Sequence, residues 1–132
     1  MGDKLKHHTP LWLKWLGIGL GVVTLLWLRV EDVTPNYVIG LGAAWCAWAG
    51  MRFVLRWDRE LQLGHYLFGG FVAGVATPSF AILLMIVKGG VHAHGFLDFS
   101  NFQLASVLRS TPWLGISGLM MGLIMALVLK RK

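Results

Sequence analysis

A chain of 132 residues is one domain's worth of polypeptide, and this one is 56% hydrophobic and 14% charged, against roughly 45–50% and about 25% in soluble globular domains. With 17 glycines, seven tryptophans and two tyrosines, that balance excludes an ordinary water-soluble fold, since Gly is enriched in transmembrane helices and Trp and Tyr at bilayer interfaces. The net charge of +6 is distributed between apolar runs instead of clustering on one face, which argues for orientation in a membrane and against nucleic acid.

The N-terminus places Lys4 and Lys6 ahead of an apolar run. No small-x-small cleavage site follows, so it reads as an uncleaved signal anchor. Four windows, about 10–28, 35–56, 63–87 and 112–129, reach the ~20 residues that cross ~30 Å of hydrocarbon. In lipid each must be helical, because a lone segment satisfies its backbone hydrogen bonds no other way. The expected fold is therefore an all-α integral membrane protein, a four-transmembrane-helix bundle in a single domain over 1–132. A short interfacial helix is expected between spans three and four, within an outer segment over 88–111.

Every proline follows a threonine: Thr9-Pro10, Thr34-Pro35, Thr77-Pro78 and Thr111-Pro112. Thr caps helix N-termini and Pro fits the first turn, so three pairs mark the starts of spans one, two and four. The remaining pair lies inside span three, where Pro78 removes a backbone hydrogen bond and kinks the helix, while Thr77 softens the break by bonding back along it. The kink is a packing device or, as a second reading, a hinge.

Small residues recur four apart on every span, the spacing that lets helix backbones approach closely. They are Gly17/Gly21, Gly40/Ala44 with Ala43/Ala47, Gly69/Ala73/Thr77 with Gly70/Gly74, and Gly118/Gly122/Ala126. A tight bundle with faces to spare for a second protein follows. In span two, Trp45 and Trp48 share a face too deep for the interfacial belt. They are packing residues or, alternatively, a platform for a quinone or pigment ring. Cys46 is a small packing residue.

Lys and Arg partition nine to three between the two sides of such a bundle. One side holds Lys4, Lys6, Lys14, Arg52, Arg56, Arg59, Lys130, Arg131 and Lys132, the other Arg29, Lys88 and Arg109. The richer side, with both termini, is expected to be cytoplasmic, in a bacterial inner membrane or equivalent. No ionisable residue falls at the centre of a span; Lys14 and Arg52 lie within reach of the inner interface and snorkel to it.

In the outer segment, Gly89-Gly90 after Lys88 is expected to end span three. His92-Ala93-His94 follows, with Asp98 four residues on. If extended, this piece puts both imidazoles on one side, where with Asp98 they supply two nitrogens and a carboxylate to a divalent metal such as zinc. The plain reading is a pair of solvated histidines with Asp98 as a cap, and a pH-sensing pair is a further possibility. Ser100 to Gln103 fits a capping box opening a short apolar helix to Arg109, a lid or docking surface. Haem is not favoured, because only His65 belongs to a span and it sits near the end.

The functional expectation is a small accessory or assembly subunit of a larger membrane complex, without catalysis or cofactor of its own. Its partners are the lipid bilayer and a membrane protein or further copies of itself, and not nucleic acid. The alternatives are a small oligomeric transporter or channel hinged at Pro78, and a metal- or ligand-binding membrane protein using His92, His94 and Asp98.

Overall fold

The structure, a computed structural model, describes residues 10–30, 34–56, 62–91 and 99–129. They form five helices: α1 (Leu11–Arg29), α2 (Pro35–Arg56), α3 (Leu63–Val91), α4 (Asn101–Arg109) and α5 (Thr111–Leu129). No strand occurs among the described residues. Four helical stretches are long and apolar enough to cross a membrane, α4 and α5 together making the fourth.

The bundle is organised around α3, whose 29 residues extend about 43 Å. Its buried positions, Gly74, Thr77, Pro78, Ala81, Leu84, Met85, Lys88 and Gly89, follow the three-and-four spacing of a single helix face. The first half of that face takes α5, and the second half takes α2 and α4. Against α5 the approach is backbone to backbone. A Cβ on Gly70 would run into the Gly118 carbonyl, one on Gly74 into the Leu114 carbonyl, and one on Gly122 into the Tyr66 carbonyl. These pairs run antiparallel, and the contact is dispersion between main chains that any side chain would push apart.

The α2 contact uses Gly42, where a Cβ would lie 3.1 Å from the Thr77 carbonyl oxygen. Pro78 is therefore clamped at the α2–α3 seam, fully buried, and α3 runs through it without interruption. The Thr77 hydroxyl donates to the Ala73 carbonyl at 2.9 Å, the back-bond that accommodates a proline one residue on.

Helix α1 packs on α2 through two indoles. Trp48 Nε1 donates to the Leu13 carbonyl at 2.8 Å, and Trp45 Nε1 donates to Thr24 Oγ1 at 3.0 Å, whose own hydroxyl donates to the Leu20 carbonyl at 2.7 Å. The Trp48 ring lies against Gly17, where a Cβ would sit 2.6 Å from Trp48 Cζ2. Replacing Trp48 by Phe is expected to cost about 1 kcal/mol of stability, the worth of one hydrogen bond, in detergent unfolding monitored by tryptophan-independent far-UV signal. Trp45→Phe should cost less, because Thr24 keeps its bond to Leu20; the reverse order would show that the ring contacts dominate.

Helices α1, α2 and α5 start at or beside the threonine–proline pairs, but two of the expected caps differ. In α1 it is Pro10 that occupies the cap position, with no side-chain bond, and the helix starts at Leu11. In α5 the Thr111 hydroxyl donates backward to the Leu108 carbonyl at 2.6 Å, closing the turn from α4 instead of capping α5. Helix α2 does begin at Pro35.

Candidate functional site around Lys88

The capping box at the start of α4 is present in both halves. Gln103 N–H donates to Ser100 Oγ at 3.3 Å, and Ser100 N–H donates to Gln103 Oε1 at 2.8 Å. It sets α4 against the far half of α3, so that Phe99 and Val107 join Val38, Ala81, Leu84 and Met85 in the buried core, with Leu104 and Trp27 packed on it. The opposite side of α4 carries Phe102, 77% exposed, and Leu108, 54% exposed.

Helix α3 runs through Gly89-Gly90 to Val91, so Lys88, expected in the outer segment, lies within the helix. It is 1% exposed, the largest fully buried side chain in the described residues. Helix ending at a glycine requires the chain to turn away there. Here Gly89 is itself buried and the stripe of core positions passes through Lys88, so the helix has packing to gain by continuing. The Lys88 ammonium sits over the Trp27 ring, 4.2 Å from its centroid, where the negative face of the indole attracts a cation. Trp27 is not its sole partner. Every buried side-chain nitrogen and oxygen in the described residues has a hydrogen-bond partner.

This is the one place among the described residues where a charge is drawn into the bundle. A charged residue inside a membrane-length helix is rare and marks function or a specific pairing. The signal for it was available in the sequence: extending the three-and-four spacing of Thr77, Ala81 and Leu84 lands on Lys88. Chemically the site offers one buried cation beside an aromatic face, which ties α1 to α3.

The metal candidates His92, His94 and Asp98 lie outside the described residues. Among the described residues no group of three His, Cys, Asp or Glu stands close enough to hold a metal. Trp45 and Trp48 pack edge to face with centroids 5.5 Å apart and planes at 87°, and Trp45 also lies 6.3 Å from Phe80. Both indoles are thus committed to helix packing and hydrogen bonds. His65 is exposed near the start of α3, and Cys46 is free and half-buried. No protein-family model matches this chain, and neither a curated protein sequence nor a solved structure matches it.

Proposed function

We propose that this chain is a four-span membrane protein with both ends cytoplasmic, in a bacterial inner membrane or equivalent, with α4 at the outer interface. Its role is that of an accessory or assembly subunit of a larger membrane complex, without catalysis of its own. The observation that supports this most is the unused face of α2. Gly40, Ala43, Ala47 and Gly50 fall on one side of the helix, opposite the Val38 and Gly42 side that meets α3. A Cβ on Gly40 or Gly50 would meet nothing within 4 Å. Glycine in a helix costs roughly 0.5–1 kcal/mol relative to alanine, and a stripe of small residues in lipid is how one helix receives another.

The test is mild-detergent purification of the full chain with identification of what remains bound. A reproducible set of other membrane subunits is expected, lost when Gly40→Leu and Ala47→Leu are combined while the helical content stays intact. Recovery as a homo-oligomer that moves a solute in liposomes would replace this reading with the transporter. Retention of every partner by the double variant would remove the α2 face from it.

A further inference from the structure

At the end of the bundle opposite Lys88, α1 carries Lys14 and α2 carries Arg52. Lys14 lies three residues past the start of α1 and Arg52 four residues before the end of α2, so they sit about 4.5 Å and about 6 Å from their helix ends. The helices are antiparallel, with Leu13 bonded to Trp48, which brings the two residues to the same depth on adjoining helices. Trp12 and Trp15, 54% and 66% exposed, sit at that depth too, the level at which indoles mark the bilayer interface.

Arg52 is held in place. Its guanidinium carbon lies 5.3 Å from the centroid of the Trp48 ring, and that ring is fixed by its bond to the Leu13 carbonyl and by lying flush on Gly17. A guanidinium over a ring keeps all five of its N–H donors for an anion. Lys14, next to Leu13 in the chain, is exposed. No described residue is acidic, since all six Asp and Glu lie outside the described residues. By sequence, the segments that enter the bundle at this end carry nine Lys and Arg against Asp3, Asp58 and Glu60. Those at the Lys88 end carry three against Glu31, Asp32 and Asp98. The whole net charge of +6 thus belongs to the Lys14–Arg52 end.

We infer that Lys14 and Arg52, at the α1–α2 seam, form a binding site for the headgroup of an anionic phospholipid. Basic pockets between membrane helices take such headgroups, and a planar fork beside a point charge suits a phosphate diester. The surroundings favour a lipid over a free anion. Leu11, Leu16 and Phe53, at 72%, 46% and 57% exposure, flank the cations with apolar surface that acyl chains cover and inorganic phosphate does not. This site is independent of the α2 face assigned to a protein partner.

The experiment is native mass spectrometry of the full chain released from nanodiscs of phosphatidylcholine with one-fifth phosphatidylglycerol, reading the ratio of the two lipids retained. Wild type is expected to retain phosphatidylglycerol preferentially. Lys14→Gln and Arg52→Gln should each lower that preference roughly fivefold, in line with one surface charge apiece, and Arg52→Lys should keep most of it. Should Arg52→Gln fail to fold, Lys14→Gln and Arg52→Lys still decide the matter. A triple change of Lys130, Arg131 and Lys132 to Gln removes more charge from the same end and should have the smaller effect. Equal retention of both lipids, no response to Lys14→Gln, a tail effect as large as the pair's, or displacement by millimolar inorganic phosphate would each overturn the site.

Discussion

Gly74→Ala is expected to weaken the folded state by about 3 kcal/mol, the upper end of ordinary overpacking losses, although it adds a single methyl group. The added carbon would run into the Leu114 carbonyl and lie 3.1 Å from Gly115 Cα. Main-chain atoms have no rotamer to retreat to, so α3 and α5 must separate along their length. Gly118→Ala should behave alike, because its Cβ would strike the Gly70 carbonyl and lie 3.1 Å from Gly74 Cα. Gly69→Ala is the control, five residues earlier on the same helix and meeting nothing within 4 Å. It should be neutral or gain roughly 0.5–1 kcal/mol from helix propensity. Unfolding in mild detergent on titration with sodium dodecyl sulfate, followed by helicity, measures all three. Equal responses at positions 69 and 74 would mean that the close α3–α5 approach does not form.

Lys88→Glu is expected to have the other large effect, a loss of about 3–5 kcal/mol, because it sets an uncompensated charge of the wrong sign in a buried site against the negative face of Trp27. Lys88→Met keeps the apolar stem and should lose far less. A double-mutant cycle of Lys88→Met with Trp27→Leu isolates the cation–ring term, expected at about 2 kcal/mol for a desolvated pair. Zero coupling would leave Trp27 as packing alone. Lys88→Glu folding as well as wild type would show that the side chain leaves the core for water.

Much of this architecture is legible in the residues because lipid-length helices declare themselves. Four apolar windows, the proline at the start of α2 and the Ser100–Gln103 box are local signals, and the structure forms those elements where the residues say. The sequence is less able to say which glycines carry the packing. Gly69 and Gly70 both begin a run spaced by four, and only the direction of the α5 approach separates them, which is a tertiary fact. The same holds for Gly40 and Gly42, of which Gly42 meets α3.

Lys88 illustrates a different limit. A lysine followed by two glycines reads as a charged exit from a helix when each residue is weighed alone, since glycine ends helices and ammonium groups seek water. Burial reverses that reading through Trp27, which lies 61 positions earlier in the chain and is invisible to any local window. The metal reading of His92, His94 and Asp98 concerns residues outside those described, so it stays where the sequence leaves it.

The glycine face of α3 also sets a timetable for biosynthesis. At ~5–20 residues per second, the roughly forty residues between Gly74 and Leu114 take about two to eight seconds to make. Through that interval the part of α3 bearing Gly70 and Gly74 exists while the stretch of α5 that fits it does not. The earlier α1–α2 hairpin can already close through its two indoles, and Gly42 gives α3 a first neighbour. The face bearing Gly70 and Gly74 must wait, open to whatever else the nascent chain meets, until α5 arrives to shut it.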